Sequence, residues 1–334
     1  MKLKLLLHFC FLLTTFYCTA QTDINQLHET AKTFMRQGDY ANAILVLNRG
    51  VQQDPNNIEL VKDLALSYYY SKDNNKALET IKPLLDKEEA DDQCFQIAGN
   101  IYKQLDMLKD CDKLYKKGIK KFPDSGPLYN EYGVLLWAQK DAEAIKEWEN
   151  GIEKDPSYPR NYYNAAMYYY LTTDKIWSIL YGETFINMEP LGRNTAEVKD
   201  MLLESYKKLF TDANLELNTK DRTDFEKAFL QSMNKQSSVA SQGINTETLT
   251  MIRTRFVLDW SNNNKIKFPY KLFDYQQQLI QEGLFDAYNQ WIFGSSENLP
   301  AFQNWTVTHK EDYNAFTNFQ KGRTFKVPAG QGYK

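Results

Sequence analysis

From residue 24 onward, large apolar residues return every three or four positions in short stretches, the spacing that lines one face of a helix. Leu27, Ala31 and Phe34 form the first stripe and Ala43 and Leu47 the second, with Gly38-Asp39-Tyr40 between them and Asp54-Pro55-Asn56 after them. A glycine turn followed by a proline stop predicts two helices folded back on each other.

The same unit then recurs. A small residue between bulky apolar neighbours appears at Ala31, Ala65, Gly99, Gly133 and Ala166, in steps of 34, 34, 34 and 33. A second series, Ala43, Ala77, Cys111, Ala144 and Ser178, shortens by one residue in the same repeat; a third, Pro55, Pro123, Pro156 and Pro190, misses one beat at Glu89. Small residues on both helices let the pair approach closely, and an apolar face that no single pair can bury must be covered by its neighbours.

Residues Phe95, Ala98-Gly99, Tyr102, Cys111, Tyr115 and Pro123, and again Tyr129, Tyr132-Gly133, Leu136, Ala144, Trp148 and Pro156, carry a resemblance to the tetratricopeptide repeat. The resemblance covers five repeats at 24–57, 58–91, 92–125, 126–158 and 159–192, within a region spanning 21–192. It implies an all-α, right-handed superhelical solenoid of helix-turn-helix repeats that binds a partner on its concave face. The fifth repeat departs from the pattern, with Ser178 and Gly182 where Ala and a bulky residue are usual.

Past Pro190 the period fades but helical patterning continues. Val198, Leu202, Tyr206 and Leu209 predict a helix near 195–210, Phe225, Phe229 and Met233 a shorter one, and Leu249, Ile252, Phe256 and Trp260 another near 246–260. The polar stretch from Lys235 to Thr246 reads as a mobile loop. Phe268-Pro269 opens a hairpin that turns at Gly283, and a last helix is expected at 309–321. The aromatic load of 193–334 predicts a divergent helical region packed on the array as a cap, since exposed rings invite association.

Residues 1–20 read differently. Lys2 and Lys4 precede an apolar run from Leu5 to Tyr17, and Cys18-Thr19-Ala20 supplies small residues for cleavage after Ala20. This predicts an exported protein, periplasmic or secreted, starting at Gln21. The run is shorter than the ~20 residues a spanning helix needs, and a lipid on Cys18 fits the residues before it less well. Removing this segment leaves 38 basic and 43 acidic residues, a net charge of −5 that offers no general attraction to nucleic acid. It also leaves Cys94 and Cys111, whose axial offset in the hairpin of roughly 10 Å exceeds the limit of about 7 Å for a bridge.

Chemistry is sparse. After residue 20 only His28 and His309 remain, with no paired-Cys or His-x-x-x-His spacing, phosphate loop or nucleophile motif. The reading is therefore non-catalytic, with no metal and no cofactor, and Gly330-Gln331-Gly332 reads as a flexible end. What remains is the first-helix face away from the second helix. It presents Lys32, Arg36, Lys62, Tyr69 and Tyr70, then Asn100, Lys103, Asn130 and Trp137, then Arg160, Tyr163, Asn164 and Tyr170. Amides suit a peptide backbone, cations suit carboxylates and aromatics suit side chains. A protein or peptide partner is expected, with a glycan or other small ligand as the alternative; part of the stripe could instead pack against 193–334. Glu131 and Pro127 break the carboxylate-clamp set of chaperone-binding relatives.

Overall fold

The structure is a computed structural model that describes residues 23–172, 174–211 and 221–333; the segment read as an export signal lies outside them. The fold is all-α, with no strand among the described residues. Helices α1 (Ile24–Arg36) and α2 (Tyr40–Gln53), α3 (Ile58–Tyr70) and α4 (Asn74–Ile81), and α5 (Asp92–Gln104) and α6 (Leu108–Lys121) form consecutive hairpins. They are followed by α7 (Gly126–Ala138) with α8 (Ala144–Lys154) and α9 (Pro159–Leu171) with α10 (Lys175–Met188). Packing divides the chain inside α6 into one compact unit ending at Leu114 and a second beginning at Tyr115.

The first four hairpins close in one way. Gly38, Lys72, Asp106 and Lys140, at steps of 34, all hold positive φ between 56° and 75°. The residue after each donates its N–H to a carbonyl five back: Asp39 to Phe34 at 2.9 Å, Asp73 to Tyr68 at 2.9 Å, Met107 to Tyr102 at 2.9 Å and Asp141 to Leu136 at 3.0 Å. This left-handed cap satisfies carbonyls that the helix end would orphan. Asp39 and Asp73 then accept N–H groups of the following helices through their side chains. In the second repeat α4 stops at Ile81 and tightens into a 3-10 turn over Lys82–Asp86, because Pro83 has no N–H to continue the α ladder.

The C-terminal helices are α11 (Thr195–Thr211), α12 (Asp224–Asn234), α13 (Thr246–Asn263), α14 (Lys271–Gln281), α15 (Phe285–Asn289), α16 (Leu299–Thr308) and α17 (Lys310–Lys321), with a π turn at Gln290–Gly294 after α15. The α14–α15 turn repeats the cap of the array: Gly283 has φ 71° and Leu284 donates to Leu279 O at 2.8 Å. Helix α16 is not anticipated by the sequence pattern, and none of its residues is buried.

Two sequence expectations need correction. The stretch 235–246 is not an open loop. Val239 and Gln236 are buried, Ser237–Ala240 is helical, and Asn245 caps α13 reciprocally with Thr248. The segment around Gln331 is not a free end either. Tyr270 gives α14 no side-chain cap, and Gln331 Oε1 accepts the Lys271 N–H at 2.7 Å instead. Tyr333 stacks on Phe225 at 4.6 Å and donates to Pro269 O at 2.7 Å.

Candidate partner-binding face

Within the first unit the sequence-selected residues fall into two groups. Tyr70 is half exposed, stacked on Tyr40 at 5.2 Å and edge-on to Tyr69 at 5.3 Å. Lys32 pairs with Glu29 one turn back at 3.1 Å, Arg36 is exposed, and Asn100 and Lys103 are half-buried. Lys62 is different. It is buried, and its ammonium meets Glu59 at 2.7 Å, Asp91 at 2.6 Å and Gln93 at 3.0 Å. Burial pulls the Lys62 pKa down, but the Asp91 and Glu59 carboxylates outweigh it and hold the ammonium charged. Its charge is thus spent inside the repeat pair. Both cysteines are buried thiols, as the hairpin offset predicts.

In the second unit the structure brings two selected amides together: Asn164 Nδ2 donates to Asn130 Oδ1 at 2.7 Å, linking first helices of adjacent repeats. Trp137, at the end of α7, is 43% exposed although Tyr168 meets it edge-on at 5.4 Å and Trp148 lies 6.3 Å away. Arg160 is exposed. Tyr163 donates to Glu197 at 3.0 Å and packs on Phe185, while Tyr170 lies beneath the Lys208 ammonium at 4.7 Å. Those two tyrosines therefore pack against α11.

Missed by the sequence reading is the interior of the second unit. Every residue from Lys175 to Asn187 in α10 is buried, so the odd residues of the fifth repeat answer to helices on several sides. Ser178 shares a hydrogen bond with Ser205 at 2.8 Å, and a Cβ on Gly182 would lie 2.7 Å from the end of Met201. Trp177 Nε1 donates to Glu226 at 2.5 Å. At the centre, the Glu183 carboxylate accepts from Arg253, from Gln276 at 2.6 Å and from Tyr288 at 2.8 Å, and Arg253 also meets Asn289. Burial works against the Arg253 charge, yet Glu183 and the tyrosines raise its pKa. A signal was present: Glu183 is the one charged residue between Ile176 and Met188, and Arg253 sits inside the Leu249, Ile252, Phe256 stripe.

Among the described residues no group of His, Cys, Asp and Glu could hold a metal ion, and no helix is long and apolar enough to cross a membrane. A tetratricopeptide repeat family model matches residues 34–101. No curated protein matches the chain. Similar solved structures include a thermophilic TPR protein of Thermus thermophilus, 14% identical over 56% of this chain and 98% of its own, with a TM-score of 0.43. A tetratricopeptide repeat protein from Parabacteroides merdae is 14% identical over 75% and 96%, with a TM-score of 0.43. YrrB, a TPR protein with an unusual peptide-binding site, is 14% identical over 54% and 93%, with a TM-score of 0.38. From the matched residues and the repeated hairpin closure, this chain carries tetratricopeptide repeats.

Proposed function

We propose that this chain is a non-catalytic adaptor that binds a protein or peptide along the first helices of its repeats. The observation that carries the reading is Trp137. A tryptophan held by neighbouring rings yet exposed over much of its surface is the usual form of an interface anchor. Asn164, half-buried on the first helix of the next repeat, offers an amide suited to an extended backbone, while Asn130, selected with it, is buried and serves to hold it. Tyr70, on its stacked partner Tyr40, offers a second aromatic contact in the first unit. A peptide array probed with the protein tests this. Substituting Trp137→Ala should weaken binding of a captured peptide about tenfold or more while leaving the melting temperature in place. Unchanged affinity, or an array with no binder, overturns the reading.

Export, to the periplasm or beyond, is part of the same proposal and rests on the order of Lys2, Lys4, the apolar run and Cys18-Thr19-Ala20. N-terminal sequencing should find Gln21 first; an intact Met1 on exported material would refute it. Residues 193–334 are proposed as the cap of the repeats. The enclosure of α10 supports this, since a chain ending at Gly192 would leave Trp177 without Phe225 and Glu226, and Glu183 without Arg253, Gln276 and Tyr288. Such a chain should melt lower and associate in light scattering, and an unchanged melt would remove the cap.

A further inference from the structure

Asn298, which caps α16, and Ala301, Phe302 and Trp305 within it return at the spacing of one helix face. That face is not core, since no residue of α16 is buried. It walls a cavity of about 280 Å³ in the second unit, closed on its other sides by the start of α13 and by the π turn after α15. Gly294 ends that turn. A Cβ on it would fall 2.6 Å from the Phe302 ring and 2.7 Å from Gln290 Oε1, so a side chain there would push the ring and the amide apart. π turns set into helical segments are frequent at functional sites.

The polar groups of the cavity are oriented but not used up. Asn298 Oδ1 accepts from the Ala301 N–H at 3.0 Å and Asn245 Oδ1 from the Thr248 N–H at 2.8 Å, the caps of α16 and α13. Each cap fixes its amide and leaves the Nδ2 donors without a partner among the described residues. Gln290, half-buried, keeps both ends of its amide free in the same way. All three amides stay within reach of water, for none of their atoms is both sealed and unpaired. Glu297 Oε2 accepts the Thr246 N–H and hydroxyl, which orients the carboxylate and leaves Oε1 over. Glu247 is exposed, and no Lys, Arg or His lines the cavity. Trp305 is half-buried, with His309 stacked on one face of its indole at 4.6 Å. A ligand that uses this wall donates to two carboxylates, accepts from three amides and lays a weakly polar face on an indole. Two carboxylates repel an anion, and a bare cation would leave the amides idle.

We propose that this cavity binds one neutral pyranose unit of a glycan, stacked on Trp305. Sugar hydroxyls donate and accept at once, and the C–H face of the ring suits an indole. Glu247, Glu297 and Asn298 are exposed at its mouth, where the rest of the glycan can continue into solvent. An array of neutral glycans probed with the full chain, followed by isothermal titration of the best binder, tests this. Binding is expected, with choline and arginine weaker by about tenfold or more. Trp305→Ala should weaken the sugar about tenfold or more, and Glu247→Gln, at an exposed position, about threefold or more, with the melt unchanged. Trp137→Ala, on the repeat face, should leave sugar affinity as it was. An array without a neutral binder, choline or arginine binding as tightly, or affinity kept in both cavity variants overturns the proposal. So does a loss in Trp137→Ala, which would move the sugar to the repeat face.

Discussion

Gly50 in the first repeat and Gly151 in the fourth hold the same place in the repeat, and the residues they face, Leu60 and Asn161, correspond as well. A Cβ on Gly50 would meet Leu60 methyls at 3.1 and 3.3 Å. On Gly151 it would fall 2.3 Å from the Asn161 amide nitrogen and 2.8 Å from Tyr129 Cβ, with Asn161 tied to Gly126 O at 3.0 Å. At this matched site the first unit is packed with a side chain that can shift, and the second is locked by an oriented amide. Ala31, Ala43, Leu47, Leu60 and Leu64 form a core of the first unit that needs only volume and pattern. Glu183, Arg253, Gln276 and Tyr288 need geometry as well.

The strongest way to break this contrast is Arg253→Met. It leaves Glu183 buried without its cation and should lower stability by about 3–5 kcal/mol, whereas a paired Glu183→Met, Arg253→Met replacement should recover much of the loss. All six tryptophans lie at 137 or beyond, so urea unfolding followed by tryptophan fluorescence reads the second unit alone. A single substitution as stable as the parent would show that the pair carries no such load.

A sharper comparison puts one methyl at the matched glycines. Gly151→Ala should cost about 1–3 kcal/mol, because neither Asn161 nor Tyr129 can withdraw without losing a contact, while Gly50→Ala should stay within about 0.5 kcal/mol. Equal effects in urea melts followed by circular dichroism would erase the distinction.

The smallest effect belongs to Cys94, which reports on the first unit. Burial, then the Asp91 carboxylate, pushes its thiol up to about 12, against roughly 8.5 in an unfolded chain. The folded state therefore keeps the proton longer. Its advantage is complete below about pH 8.5 and fades as pH climbs toward 12. In protein beginning at Gln21, iodoacetamide at pH 9 should label Cys94 and Cys111 slowly until urea opens the first unit. Labelling at the rate of a free peptide thiol under native conditions would contradict the burial.

The repeats were legible because their physics is local and iterated. Small residues at 31, 65, 99, 133 and 166 mark each helix crossing, and a turn with positive φ follows seven residues after each of the first four. Helix α10 was less legible, since Ser178 and Gly182 make sense only beside Ser205 and Met201, which no period connects to them. The binding stripe was partly legible. Spacing placed Asn130 and Asn164 on one face, but could not tell that Lys62 would be consumed by Glu59 and Asp91 or that Tyr163 would find Glu197. The caps of α14 and α13 depend on Gln331 and Asn245, polar residues in stretches that sequence alone reads as unstructured.

The return of Gln331 and Tyr333 to α14 also orders events in time. The hairpins of the first unit close between neighbours in sequence, so each can form while later residues are still being synthesised. Helix α14 cannot be capped until residues 60 positions further on exist, and the Glu183–Tyr288 bond must wait across 105. Nascent chains halted on the ribosome at increasing lengths should therefore gain protease resistance stepwise through the first unit. For α10 and the helices around α14 that resistance should come in one late jump, once Tyr333 has cleared the exit tunnel.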